Sequence, residues 1–229
     1  KLEALPLTRD NLPDFVAAYM PGAVKETLER IAPVLPAEGA ISPLLARFAI
    51  EQSLQDNAVA KDAVALTFRY LDGLRAGRID VTEDDFRRAA AVAAIDAIRV
   101  DPEALTPREL DMEALRASLD AEADRLPFLK ASGEETNAHI LIDAFLESGL
   151  VTRNTQNRRL QFIYDPVAER MAAWRISEKR HDQPGLAKLY EDAMSKPDGH
   201  GLKSALDERN DGRVPGDSAR APTSAEARS

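Results

Sequence analysis

Hydrophobic residues recur every three to four positions along most of this chain, which is the spacing of amphipathic helices. Two helix starts have recognisable sequences, because Ser42 precedes Pro43 and Thr82 precedes three acidic residues. A serine or threonine N-cap followed by proline or acidic residues favours helix initiation. A third such start is predicted at Thr106, which Pro107 and Glu109 follow. The pattern predicts helices at about 12–19, 24–31, 43 onward, 61–75, 82–99, 106–126 and 137–148.

One region of the sequence is typical of β-strands. Residues 150–153 and 159–164 contain β-branched and aromatic residues and flank the polar stretch 154–157, which predicts a small hairpin. Asp165 and Pro166 then start another helix. A helix followed by a β-ribbon is the core of a winged-helix domain, so this region predicts that fold.

The sequence changes character from about Ser195 onward. Glycines and prolines interrupt a polar, charged stretch whose sizeable apolar residues are Leu202, Leu206 and Val214. So few apolar residues predict a linker or a disordered tail, because burial would not offset the entropy of ordering. The predicted fold is therefore mainly α. It has a helical domain over residues 1–78, a winged-helix domain with one small β-hairpin over 79–180, and a short helix then a polar linker or disordered tail over 181–229.

Composition narrows the possible functions. The 229 residues include 30 Lys and Arg against 39 Asp and Glu, a net charge of −9 that disfavours nucleic acid and anionic membranes as partners. The absence of cysteine excludes disulfides, thiol catalysis and Cys-ligated metals. We expect a cytoplasmic protein that does not associate with membranes, because the sequence has no apolar run of 18 residues and no signal segment. The first residue is Lys1 rather than Met, so we also expect a longer parent chain.

Candidate catalytic and metal-binding chemistry is sparse in this sequence. It has no P-loop, no dinucleotide-binding glycine motif and no nucleophile elbow. The acidic pairs Asp84/Asp85 and Glu134/Glu135 lie at predicted helix starts, where they offset the helix dipole. The three histidines, His139, His181 and His200, are widely separated. We therefore expect no catalytic residue, no metal site and no enzyme activity within these 229 residues.

A winged helix also raises the hypothesis of DNA binding. The predicted recognition helix, residues 137–148, has no Lys or Arg and includes Asp143 and Glu147. Phosphate and guanine contacts both require cations there. The predicted hairpin supplies Arg153, Arg158 and Arg159, which are few for a DNA interface. DNA binding is therefore the weaker hypothesis.

Four segments, taken in their order along the chain, indicate a resemblance to a known family. They are Leu7–Tyr19, Ile41–Ala49 with its Pro-Leu-Leu sequence, Leu66–Leu71, and Leu146–Val151 followed by Leu160–Ala173. Together they resemble the region that follows the nucleotide-binding core in NACHT-type STAND NTPases, the signal-transducing P-loop ATPases that include NOD-like receptors and bacterial defence sensors. The second segment is similar to the family's NPLLL motif, and the last is similar to its SGLL and F-x-H-x-x-F-x-E-Y-L-A-A motif.

The resemblance implies roles for two residues. Pro43 would lie close to the adenine of a bound nucleotide. Tyr164 stands where many members have a histidine that contacts the ADP β-phosphate. A tyrosine hydroxyl can donate a hydrogen bond but carries no positive charge at neutral pH, so this chain departs from the family there. Glu169, Ala172 and Ala173 would serve helix packing.

The resemblance also implies a function and its partners. ATP or ADP with magnesium would be bound by a core upstream of Lys1 rather than by these residues. This region would be a molecular switch that clamps its own nucleotide-binding core in a resting state and opens on activation, when the parent would form a homo-oligomer. Two alternatives stay open: a winged-helix DNA-binding regulator and an all-α protein-interaction scaffold.

Overall fold

The computed structural model describes residues 7–35, 41–55, 63–75, 81–122, 138–154, 156 and 159–211. In these residues the chain is mainly helical, with one small antiparallel sheet, as predicted. The helices are α1 Leu12–Tyr19, α2 Val24–Ile31, α3 Pro43–Gln55, α4 Ala63–Arg75, α5 Glu83–Arg99, α6 Met112–Ala121, α7 Ala138–Glu147, α8 Asp165–Lys179, α9 Pro184–Met194 and α10 Gly201–Asp211. The strands are β1 Val151–Arg153 and β2 Leu160–Phe162.

Two of the three predicted helix caps are present. Helix α3 begins at Pro43, and the Leu45 amide donates to the Ser42 hydroxyl over 3.4 Å. At the start of α5 the Asp85 amide donates to the Thr82 hydroxyl over 3.1 Å. A polar cap satisfies one amide that has no partner within the helix. Local sequence therefore determines where these two helices begin.

Helix α5 lies at the centre of the structure. Its alanine-rich sequence is buried over most of its length, and it packs against α8 on one side and α6 on another. Small side chains allow close helix packing, because the interaxial distance depends on the residues at the contact. The largest fully buried side chains include Phe86 of α5 and Phe145 of α7. The helices preceding α5 join this core through α4, where Arg87 pairs with Asp72.

The predicted hairpin is present, and a single residue outside it, Leu110, also pairs with β2. Strands β1 and β2 pair antiparallel with Val151 opposite Phe162. On the other edge of β2, Leu110 and Leu160 exchange two backbone hydrogen bonds of 2.7 and 2.8 Å. The order is therefore α5, the Leu110 bridge, α6, α7, β1 and β2. Part of the predicted turn, residues 155, 157 and 158, lies outside the described residues.

The predicted helix start at Thr106 is wrong. Residues 105–109 are not helical, and the N-cap of α6 is Asp111, five residues after Thr106; its carboxylate accepts from two backbone amides. The cause is tertiary: Leu110 is buried in an extended conformation opposite Leu160. In addition, Glu109 accepts a 2.8 Å hydrogen bond from Asn154 of the hairpin. Sheet pairing at Leu110 therefore overrides the local helix signal.

The predicted disordered tail from about Ser195 is also wrong over residues 201–211, which form α10. Leu202 and Leu206 are completely buried, and α10 packs on α8. These two leucines are four residues apart, so they lie on one face of the helix. Helix α8 is therefore followed by two helices, α9 and α10. Residues 212–229 of the predicted tail lie outside the described residues.

Among the described residues, none of the helices combines the length and the hydrophobicity that a bilayer crossing requires.

Candidate functional site at the junction of α3, α4 and the hairpin

Three aromatic side chains connect the predicted helical domain, residues 1–78, with the predicted winged-helix domain, residues 79–180. Phe48 of α3 stacks on Tyr70 of α4 with ring centroids 3.9 Å apart. Tyr164, which follows the hairpin, meets both rings nearly edge-on, at 6.4 Å from Phe48 and 6.5 Å from Tyr70. Offset and edge-to-face aromatic pairs contribute beyond the area that they bury. We call Phe48, Tyr70 and Tyr164 the aromatic junction.

Tyr164 is positioned by the start of α8. It is the N-cap residue of this helix, and its carbonyl oxygen accepts from the Val167 amide over 3.1 Å. The backbone of Tyr164 is extended, and Pro166 in the first helical turn favours the change to helix. The tyrosine ring is therefore held between a strand end and a helix start, both of which are fixed locally.

Pro43, the other residue singled out by the sequence, is exposed at the first position of α3. Phe48 of the aromatic junction follows it by five residues on the same helix, so α3 connects Pro43 with Tyr164. Arg47 lies between Pro43 and Phe48 on this helix and is also exposed. It donates to Glu51 over 2.7 Å and interacts electrostatically with Tyr164 and Tyr19. No feature of the local sequence distinguishes Arg47 from other surface arginines, so its place near Tyr164 could not be predicted.

The environment of Tyr70 changes the pKa of its phenol group. Burial raises the pKa of Tyr70 to about 12, and neighbouring Tyr164 acts in the same direction, while Arg47 opposes them. The phenol is therefore neutral at every physiological pH. It can serve as a hydrogen-bond donor, and it is not a general base at neutral pH.

This elevated pKa predicts how stability changes at alkaline pH. An unfolded tyrosine ionises near pH 10, whereas folded Tyr70 ionises near pH 12. The stabilisation linked to its neutral form is thus complete below pH 10 and is lost as the pH rises towards 12. Tyr70→Phe keeps the ring, and we expect it to flatten this loss in urea-unfolding titrations. Tyr190→Phe is the control and should retain the loss; an unchanged profile for Tyr70→Phe would contradict the assignment.

A groove of about 230 Å³ lies beside the aromatic junction, between α3 and α4. Its lining includes Phe48, Tyr70, Arg69, Glu51 and Gln52. Small-ligand sites for drug-sized molecules are usually larger, about 300–1,000 Å³. Chemically, the face around this groove offers aromatic rings, a phenol and guanidinium groups. These groups suit stacking and hydrogen bonding better than bond-breaking chemistry.

The part of the chain that the structure describes contains no group of three or more acidic or histidine side chains placed to hold a metal ion. The outward positions of α7, the predicted DNA-recognition helix, include His139, Asp143 and Glu147. The exposed face of α7 is therefore acidic, which opposes contact with phosphates. Of the three predicted hairpin arginines, Arg158 lies outside the described residues.

Comparison of this chain with models of known protein families, with curated proteins and with solved structures found no match.

Proposed function

We propose that this chain is a regulatory region of a STAND-type signalling ATPase, in which a helical domain and a winged-helix domain clamp the nucleotide-binding core of the same protein. The observation that carries the proposal is the aromatic junction. It joins α3, the helix that begins at Pro43, to Tyr164, the residue that stands at the family's histidine position. The two residues that the resemblance singles out are thus on elements in direct contact.

The order of elements supports the winged-helix part of the proposal. Helix α5, the Leu110 bridge, α6, α7 and the hairpin follow one another along the chain. The Leu110 bridge pairs with the edge of β2 that β1 leaves free. This arrangement is typical of a winged helix. Because the outward side of α7 is acidic, such a domain is better suited to packing against protein than to entering DNA.

The aromatic junction also suggests how the clamp would act. In the proposed clamp, the ring contacts of the aromatic junction couple α3, α4 and the start of α8, because closely packed side chains transmit a displacement to their neighbours. Pro43 and Arg47 are exposed on the same helix, and Tyr164, which interacts electrostatically with Arg47, is half-buried. In the proposed resting state this face contacts the nucleotide-bound core, and a change of nucleotide favours the separated arrangement.

The first test is the coding sequence upstream of Lys1. A P-loop followed by an acidic magnesium-binding strand within a few hundred residues is expected. A chain that lacks both would overturn the proposal and would favour a winged-helix adaptor or a helical interaction scaffold instead.

The second test uses that complete protein and measures the release rate of bound ADP. Tyr164→Phe removes only the hydroxyl, and we expect about fivefold faster release, the equivalent of ~1 kcal/mol for one hydrogen bond. Tyr164→Ala should release ADP faster still, because it also disrupts the aromatic junction. Tyr190→Phe removes a hydroxyl elsewhere and should leave the rate unchanged. Equal release rates for all four proteins would exclude Tyr164 from the nucleotide clamp.

A further inference from the structure

One carboxylate interrupts the buried apolar run of the central helix. Residues 89–98 of α5 are alanine, valine or isoleucine except for Asp96, and the apolar ones are all buried. The Asp96 carboxyl group has a hydrogen bond with Ser118 of α6, but its Oδ2 atom is buried and has no hydrogen-bond partner within the described part of the chain. A buried acceptor without a partner costs free energy, so native structures contain few of them. Helix packing alone therefore does not explain Asp96.

A cavity of about 180 Å³ lies beside this carboxylate, and its walls come from α5, α6, α8 and α9. Its apolar lining includes Val92 and Ile95 of α5 and Leu186 of α9, which all belong to the buried core. The volume equals that of about six water molecules in the liquid. It is below the range of about 300–1,000 Å³ that is usual for drug-sized ligands. The cavity therefore suits a compact ligand of amino-acid size better than a nucleotide.

Among the described residues, two positive and two negative side chains line this cavity. Arg175 and Glu122 pair with each other over 2.6 Å, and both are mostly buried. Arg99 is exposed and interacts electrostatically with Asp96. Its Nη2 atom lies beside the start of α9, 3.3 Å from the position that a Cβ atom on Gly185 would take. Because Arg175 and Glu122 already neutralise each other, the charged groups left for a ligand are the Asp96 carboxylate and the Arg99 guanidinium.

We propose that this cavity binds an α-amino acid with a small branched apolar side chain, whose ammonium group donates to Asp96 and whose carboxylate accepts from Arg99. The branched side chain lies against Val92, Ile95 and Leu186. The site is built by α5, α6, α8 and α9 and does not depend on the nucleotide-clamp function proposed above.

The spacing of the two charged residues fits such a ligand. Asp96 and Arg99 are three residues apart on one helix face, where Cβ atoms are about 5–6 Å apart. A compact zwitterion can bridge this distance and pair with both groups at once. A small cation or a small anion would pair with only one of them. The last torsion of an aspartate is soft, so the carboxyl group can turn an oxygen towards the ammonium group.

The test is isothermal titration calorimetry on the whole 229-residue chain, with three compounds that share one carbon skeleton. L-Valine has both charged groups, isobutylamine lacks the carboxylate, and 3-methylbutanoate lacks the ammonium group. We expect L-valine to bind at least about tenfold more tightly than either analogue, since each analogue loses hydrogen bonds to a charged group.

Variants of the cavity assign each charged group of the ligand to its partner. Asp96→Asn keeps the shape of the side chain, and it should weaken L-valine about tenfold and leave 3-methylbutanoate unchanged. Arg99→Met should weaken L-valine to a similar extent and leave isobutylamine unchanged. Because Arg99 is exposed, this second variant tests the proposal even if Asp96→Asn does not fold. Arg88→Met is the matched control: it removes an exposed arginine of α5 that pairs with Asp84, and it should bind L-valine as the wild type does.

Three results would overturn the proposal. The absence of saturable L-valine binding up to about 10 mM would show that the cavity is not an amino-acid site. Either analogue binding as tightly as L-valine would show that only one of the two charges is recognised. Equal L-valine affinity of the wild type, Asp96→Asn and Arg99→Met would place the bound amino acid elsewhere on the chain.

Discussion

Phe145→Ala is expected to lower the free energy of unfolding by about 3–5 kcal/mol, the usual loss when a buried aromatic side chain is truncated. Phe145 of α7 is completely buried and meets Phe86 of α5 edge-on, with ring centroids 5.2 Å apart. Alanine would leave a cavity at the contact between the central helix and the helix that leads into the hairpin. The surrounding helices are fixed by other contacts, so they would fill this cavity only in part.

The measurement is equilibrium unfolding in urea followed by far-ultraviolet circular dichroism. Leu54→Ala is a suitable control, because Leu54 is 56 % exposed and its truncation should cost less than 0.5 kcal/mol or so. Phe145→Leu keeps most of the volume and should fall between the two variants. A loss below about 1 kcal/mol for Phe145→Ala would mean that α7 does not belong to the core.

Predictions from the sequence succeed where the determining contacts are local. Ser42 and Pro43 start α3 through one hydrogen bond and one fixed backbone angle, and both are properties of adjacent residues. The hairpin is likewise confirmed, because its strands and turn are contiguous in the sequence. The mainly helical class follows from many such local patterns along the chain.

Predictions fail where a distant partner decides the structure. The Thr106 sequence favours a helix, but Leu110 pairs with Leu160, fifty residues away. The polar sequence after Ser195 suggests disorder, but Leu202 and Leu206 find a buried surface on α8. The glycines of this stretch also favour the wrong prediction of a disordered tail. Gly199 lies in a turn before α10, and Gly201 is the first residue of that helix. These two glycines therefore lie at the beginning of a helix rather than interrupt one.

The candidate site was only partly predictable for the same reason. Pro43 and Tyr164 were identified through the order of short motifs, and their connection depends on Phe48 and Tyr70, which no motif links to Tyr164. The neighbourhood of Arg47, Tyr19 and Tyr164 is formed only when α1, α3 and the hairpin end come together. A single sequence contains no direct signal of such a neighbourhood.

Removing the ion pair between Arg175 of α8 and Glu122, which follows α6, is expected to cause the second large loss of stability. Its atoms are 2.6 Å apart, and the two side chains are only 12 % and 15 % exposed. Burial raises the pKa of the nearby Asp96 carboxyl group, and a hydrogen bond with Ser118, then Arg99 and then Arg175 act in the opposite direction. Arg175→Met keeps the apolar stem but removes the positive charge that faces the largely buried Glu122 carboxylate, and we expect a loss of about 3 kcal/mol in stability at pH 7.

The result at low pH distinguishes this electrostatic cause from lost packing. Without Arg175 the Asp96 carboxylate takes up a proton more readily at low pH, so the cost of Arg175→Met should be smaller near pH 4 than at pH 7. Arg88→Met is the matched control, because Arg88 pairs with Asp84 over a similar 2.8 Å but with side chains 44 % and 63 % exposed. An exposed pair of this kind contributes about 0.2–1 kcal/mol. If both arginine variants lose the same stability in urea unfolding at pH 7, burial does not strengthen the Arg175–Glu122 pair, and the expected large effect is wrong.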